Sequence, residues 1–468
     1  MAKDKSAGEL LQEKLLLNRE NIGVAADEAY EKAADDFCAP YMRFLDLCKT
    51  EREAVPEIIR MAKAAGFTEF DPRGSYRPGD CVYRNNRGKA VLLATIGSRP
   101  IAQGVRIMAS HIDSPRLDLK PNPLYEEAQL AMFKTHYYGG VKRYQWGAIP
   151  LALHGVIVKK DGQTIAVALG EQDDDMVFTV TDLLPHLAGE QMKRPLKDGL
   201  KGEELNVLVG CRPFKDDKAS EKVKLNIIRM LNEKYGIVEA DFLSAELTMV
   251  PAFKAKDVGF DRSMIGAYGH DDRVCAYTSL MAALENKNPP YTTVTVFADK
   301  EETGSDGNTG LNSEYLKYFV YDLAECFGEN GRAVLSKSTC LSADVNAAFD
   351  PTFPDTMEKR NCAYLNYGVV VTQYTGSGGK YGTSQASAEF MAQVRRILDG
   401  EKIFWQTGEL GKVDFGGGGT VAKYVAKLNV DVVDVGVPVL SMHSPFEIVS
   451  KNDVYATYLA FKAYCAAQ

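Results

Sequence analysis

The stretch YTTVTVFADKEETGS, residues 291–305, runs from an unbroken apolar segment into two adjacent glutamates. Residues 291–298 have the length and the β-branched, aromatic make-up of a buried strand, and Glu301–Glu302 fall just past its end. In an extended backbone neighbouring side chains point to opposite sides, so the two carboxylates are expected to do different jobs. Similar short apolar runs bounded by Gly and Pro occur at KAVLLATIG (89–97) and VRIMASHID (105–113). Further strands are expected in AVLSKSTCLSADV (333–345), YLNYGVVVTQY (364–374) and VDVVDVGVPVLSM (430–442). Ahead of them, residues 35–67 place Phe37, Tyr41, Phe44 and Leu45, then Val55, Ile58, Ile59 and Met61, at three-to-four spacing, with Gly66 as a helix stop. Helices followed by buried strands indicate an α/β core.

From about residue 122 to 255 the pattern changes. HGVIVKKDGQTIAVAL (154–169) reads as a hairpin turning at Asp161-Gly162, followed by the charged, loop-like GEQDDDM (170–176) and KDGLKGEELN (197–206). The α/β pattern resumes with a helix in DDRVCAYTSLMAALENK (271–287). A β-rich module over 122–255 is therefore expected as an insertion in one α/β domain, and 468 residues suffice for both.

The balance of 55 Lys+Arg against 63 Asp+Glu gives a net charge of −8 with no basic block, which argues against nucleic acid as a partner. Nine scattered cysteines without a C-x-x-C pair point to reduced thiols and a cytoplasmic location. No signal-like segment opens the chain and no run approaches about twenty apolar residues, so no membrane association is expected.

Six histidines allow each to be weighed in turn. His111 ends an apolar run with Asp113 two residues on, hence on the same face, a pairing that suits a metal-bound imidazole with a carboxylate behind it. His443 in VPVLSMHSPFE, Asp344 in CLSADVNAA and Asp271 in AYGHDDR stand at similar strand boundaries. Donors gathered at strand ends are the pattern of an open α/β crevice. Each alone has a plainer reading: a solvated turn for Glu301–Glu302, a helix cap for Asp271–Asp272, a core histidine for His443.

In combination, and through KTEREAVPEII (49–59), SHIDSPRLDLKPNPLYE (110–126), HYYGG (136–140) followed by Trp146, GHDDRVCAY (269–277), DKEETGS (299–305), SADVNAA (342–348), GKYGTSQAS (379–387) and MHSPFE (442–447), the chain resembles the aspartyl aminopeptidase family of di-zinc metallopeptidases, its bacterial members above all. The resemblance implies an α/β/α zinc-peptidase core with a central mixed sheet, formed by 1–121 and 256–468, and an inserted dimerisation domain at 122–255. It implies two zinc ions per subunit, with cobalt or manganese chemically admissible. His111 and Asp344 would hold one, Glu302 and His443 the other, and Asp271 would bridge them. Glu301 would be general base and acid toward the attacking water, and Asp113 would orient His111. A cis peptide is implied at Asp271-Asp272. His136 would reach a neighbouring subunit's site to stabilise the oxyanion, and Lys380 and Tyr381 would approach the substrate side chain. FGGGGTVA (415–422) lacks the G-K-[ST] ending of a phosphate loop and is expected to shape the substrate pocket. His270, beside the bridging aspartate, reads as packing rather than a ligand.

The implied activity is a cytoplasmic aminopeptidase that removes single N-terminal residues, acidic or neutral, from short peptides. Its implied assembly is a tetrahedral dodecamer built from dimers. Two rivals stand beside it: a di-zinc N-acyl amino acid deacylase and a non-catalytic shell or cargo assembly.

Overall fold

A computed structural model describes residues 5–468. Its centre is a nine-stranded mixed sheet whose four middle strands, Thr293–Ala298, Arg106–His111, Thr339–Ser342 and Asp431–Gly436, lie side by side and parallel. All six residues of Thr293–Ala298 are buried, as expected of a parallel strand covered on both faces. Val294, Val296 and Ala298 pack toward helices Tyr315–Glu325 and Gly331–Leu335, while Phe297 packs toward Glu28–Leu47, Glu51–Ala64, His270–Glu285, Ala388–Gly400 and Lys451–Ala466. Helices on both faces make the α/β/α sandwich expected from the resemblance.

Three sequence expectations are corrected in detail. The helical stretch 35–67 is two helices, separated by Cys48–Thr50, with Thr50 and Glu53 forming a capping box that starts the second. Residues 333–345 do not form one strand: Gly331–Leu335 is helical, capped by the Asn330 side chain, and only Thr339–Ser342 is extended. Residues 430–442 hold two strands, Asp431–Gly436 in the central sheet and Pro438–Leu440 in a separate five-stranded sheet. The chain thus leaves the central sheet immediately before the loop that carries His443.

A seven-stranded sheet, antiparallel throughout, is built from strands between Arg116 and Pro251 around its own core of Leu117, Phe133, Trp146, Leu153, Val207 and Met249. The hairpin at 154–169 is present, with Gly162 at φ +87° in its turn. The strand Arg116–Glu127 runs without a break from the neighbourhood of His111 into this sheet. Strand Leu130–Tyr138 returns antiparallel to it and brings Tyr138 opposite Arg116. One end of the second sheet therefore abuts the C-terminal edge of the first. All nine cysteines are free thiols. Among the described residues no helix is long and apolar enough to cross a membrane.

Candidate active site

Parallel register assembles the site. Ala298 pairs with His111 and Ser342 with Ala109, so in this register Asp344, two residues past its strand, comes level with His111, and the three central strands deliver His111, Glu301–Glu302 and Asp344 to one edge of the sheet. The expectation that an extended backbone separates the two glutamates is corrected. Glu301–Thr303 is a turn of 3₁₀-helix, entered through Lys300 at φ +69° and left through Gly304 at φ +91°. At about three residues per turn, adjacent side chains still diverge. Glu301 Oε2 lies 3.9 Å from His111 Nε2, and Glu302 Oε2 lies 3.6 Å from His443 Nε2.

Asp271 sits between the histidines, Oδ1 3.2 Å from His111 Nε2 and Oδ2 3.0 Å from His443 Nε2. Its peptide bond to Asp272 is cis, and the helical backbone becomes regular only beyond Asp272. Asp344 Oδ1 is 3.7 Å from His111 Nε2. Asp113 stands behind them: its carboxylate is 3.3 Å from His111 Nδ1 and accepts the backbone N–H groups of Glu301 and Glu302 at 3.1 and 3.2 Å. Two triads, His111–Glu301–Asp344 and His111–Asp271–Glu302, have donor atoms within 4.8 Å of one another, the reach of a single ion.

Asp271, Glu301, Glu302, Asp344 and His443, with His111 and Asp113 buried behind them, open onto a cavity of about 490 Å³, walled also by Val345, Asn346, Thr375, Leu410, Lys423 and Met442. Gly417–Thr420, from the glycine-rich run, line it as expected for a pocket-shaping loop.

The sequence pattern of the family described as Aminopeptidase I zinc metalloprotease (M18) matches residues 44–465. A probable M18 family aminopeptidase 1 of Clostridium acetobutylicum is 51% identical over 432 residues, 91% of this chain and 93% of that protein. The chain belongs to the M18 family of zinc metallo-aminopeptidases. An M18 aminopeptidase from Thermotoga maritima, solved by crystallography, superposes with a TM-score of 0.92 at 42% identity, covering 97% of this chain and all of that one. The Saccharomyces cerevisiae mApe1 dodecamer shares the fold at a TM-score of 0.74 and 19% identity, over 93% and 97% of the two chains.

The donor set of this M18 aminopeptidase fits divalent cations. Asp271 Oδ1 and Glu302 Oε1 are buried with no hydrogen-bond partner, a costly arrangement for carboxylates unless a cation faces them. Burial pushes the Glu301 carboxyl up to about 8, helped by Asp344, Asp113 and Asp271 against the pull of His111. Burial and the nearby Asp271 raise Glu302 well above its usual range, and burial raises Asp344. Burial works against protonated His443 and His111, but neighbouring carboxylates outweigh it, holding His443 at about 11 and His111 well above the ordinary imidazole value. Anions crowded to this degree lack counter-charge, which zinc with imidazole and carboxylate ligands supplies.

Other residues fall outside the cavity. His136 is exposed, its Nδ1 2.9 Å from the Tyr137 carbonyl oxygen, and does not line the cavity of its own chain. Lys380 and Tyr381, expected near the substrate side chain, do not line it either. Positive φ at Gly378 and Lys380 turns the chain back on itself, Lys380 Nζ rests 3.8 Å from the Tyr374 ring centroid, and Tyr381 is 78% exposed. His270 faces away, bonded to Tyr41 Oη at 2.7 Å and to the Ile265 carbonyl at 3.1 Å, with burial lowering it to about 3.

One functional carboxylate escaped sequence reasoning. Buried Glu447 accepts the backbone N–H of His443 at 2.6 Å and of Asp271 at 3.0 Å, tying the two together from below. It lies inside the MHSPFE motif, where only the histidine draws attention.

Proposed function

We propose that this M18 enzyme is a di-zinc aminopeptidase acting on short peptides, with Glu301 as its general base. The observation that carries the reading is that Asp271, Glu301, Glu302, Asp344 and His443 line one cavity, with buried His111 behind them completing both donor triads. His111 and Asp344 would hold one ion, Glu302 and His443 the other, with Asp271 between them. Three carboxylates and one hydroxide would balance the four positive charges of two zinc ions. When bound, zinc supplies Lewis-acid polarisation and lowers the pKa of water at the site.

Glu301 takes the proton of the attacking water and returns it to the leaving amine. Its buried position raises its proton affinity toward the neutral range, and cations held by the neighbouring ligands would temper that rise. Asp113 holds this carboxylate in place through the two backbone amides it accepts, and orients His111 from behind. In the cavity wall Lys423 offers a cation to an acidic N-terminal side chain, and Val345, Leu410 and Met442 offer apolar surface to a neutral one.

We extend the proposal to assembly. The module at 122–255 exposes Leu183, Leu184, Leu187, Met192 and Leu196, apolar surface suited to pairing two subunits of a larger homo-oligomer, taken here as a dodecamer. His136 would then act across that contact on a neighbour's oxyanion. The nine free thiols suit the cytoplasm.

The deciding experiment is a panel of Asp-, Glu-, Leu- and Lys-chromogenic substrates, each with a free and an acetylated amine, on zinc-reconstituted enzyme. Turnover confined to free amines, with Asp, Glu or Leu preferred, supports the proposal. Turnover of the acetylated set would instead make it a deacylase.

A further inference from the structure

Strand Leu130–Tyr138 of the second sheet ends against the metal-site residues of its own chain, and its last residues touch three of them. The Tyr138 hydroxyl is buried and donates to Asp113 Oδ2 at 2.7 Å. That ring is itself fixed: the Arg116 guanidinium stacks 4.3 Å from its centroid and pairs with buried Glu51 at 2.6 Å. The Gly139 backbone follows at φ +75°, so close to Glu302 that a Cβ there would stand 3.1 Å from Oε2 and 3.2 Å from Cβ of the glutamate. The Gly140 carbonyl oxygen then lies 3.0 Å from His443 Nδ1.

The last contact settles which nitrogen is free. A carbonyl oxygen only accepts, so Nδ1 is the donor there, and Nε2, which faces Asp271 and Glu302, is the nitrogen left to turn toward a cation. His443 needs this support more than His111 does. It sits on a loop at φ +63° with 35% of its side chain exposed, whereas His111 ends a central strand and is 1% exposed.

We infer that Tyr138 and Gly140 are positioning residues for the metal site, Tyr138 acting through Asp113 and Gly140 through the imidazole of His443. The second sheet is then part of the catalytic apparatus of its own chain. His136, two residues upstream on the same strand and exposed, leaves that strand free to serve a second subunit as well. The inference rests on the two-ion reading proposed above.

The test compares wild type with Tyr138→Phe and Gly140→Ala by elemental analysis of zinc content across a series of buffered free-zinc concentrations. Gly140 lacks the positive φ of Gly139, so alanine there leaves the backbone unstrained and places its Cβ 3.2 Å from His443 Nδ1. The melting temperature of each metal-free protein reports folding separately. Each variant is expected to keep the metal-free melting temperature and to bind one ion about 10–100-fold more weakly, Tyr138→Phe because Asp113 loses its hydroxyl donor and Gly140→Ala because its methyl group pushes the imidazole off the carbonyl that remains. On a His443→Ala background, Gly140→Ala should cost nothing further, while Tyr138→Phe should keep its effect. Variants that titrate like wild type, or a Gly140→Ala loss that persists without His443, would overturn the inference. If wild type never binds two ions, the two-ion reading fails. Positioning is then decided by whether the variants weaken the ion that does bind.

Discussion

Two places in this protein bury histidine among carboxylates, and they are built on opposite plans. At the joint between the two sheets, His154 is 2% exposed and bonded on both sides, Nδ1 to Glu53 at 2.6 Å and Nε2 to Glu171 at 2.9 Å. Glu53 is satisfied in turn by the Thr50 backbone N–H. At the edge of the central sheet, His111 and His443 meet Asp271, Glu301, Glu302 and Asp344, and two carboxylate oxygens remain buried without a partner. Both clusters hold two carboxylates per histidine, so hydrogen bonding decides the difference: both nitrogens of His154 are bonded, whereas Asp271 Oδ1 and Glu302 Oε1 have no partner. A histidine–carboxylate cluster that satisfies itself is a structural joint; one that leaves buried oxygens unpaired is built for a cation.

The largest effect should come from removing a group that this contrast assigns to chemistry alone. Glu301→Gln is expected to lower kcat by about 10²–10⁴-fold, the worth of a positioned base, while elemental analysis finds the zinc content unchanged. A variant that lost zinc in parallel with activity would show Glu301 to be a ligand, which its 3.9 Å approach to His111 Nε2 makes the natural alternative. Shortening should separate the pair as well: Glu301→Asp keeps metal and slows turnover, whereas Glu302→Asp mainly weakens metal binding.

Stability should respond to metal at one cluster only. At zinc a thousandfold above its dissociation constant, binding stabilises the fold by about 4 kcal/mol, seen as a rise in Tm that a chelator reverses. Glu302→Gln should abolish most of that rise and yet melt higher than wild type when both are metal-free, because it removes a carboxyl that burial and Asp271 make costly to ionise. A metal-free Glu302→Gln protein that melts lower than wild type would mean that the crowding is relieved in some other way.

Those contrasts were only partly legible in the sequence. Thr293–Ala298 could be read directly because a strand covered on both faces is rich in β-branched and aromatic residues and free of charge, and the donors after it followed from the rule that such strands end at the crevice. The pairing of each donor with its support could not be read. Tyr138 reaches Asp113 across 25 positions and Gly140 reaches His443 across 303, and neither a tyrosine nor a glycine announces a distant carboxylate or imidazole. Glu447 was hidden for the same reason: its partners are backbone N–H groups, which every residue has. The helix at Gly331–Leu335 was missed because its apolar Ala333, Val334 and Leu335 look like strand until the Asn330 cap is recognised. Lys380 and Tyr381 carry suitable chemistry, but the left-handed turn that faces them outward is set by backbone geometry, at a lysine where nothing in the residue type asks for it.

The smallest effect belongs to the joint, and it has the sign that a satisfied cluster requires. Burial opposes the charged imidazole of His154, but Glu171 and then Glu53 overcome it and hold the group at about 9. A histidine whose pKa is higher folded than unfolded contributes stability that is complete below its unfolded value of about 6.5 and disappears as pH rises through the folded value. The His154 contribution should therefore fall by up to about 3 kcal/mol between about pH 6.5 and 9.5, read as the difference between wild type and Glu171→Gln in denaturant titrations at fixed temperature, in which the shared titration of the site groups cancels. Glu171→Gln, which leaves the site residues untouched, should flatten that dependence and lower stability at pH 6. An equal pH dependence in wild type and Glu171→Gln would assign it to groups other than His154, and would remove the evidence that this cluster, unlike the one around Asp271, is held together by its own charges.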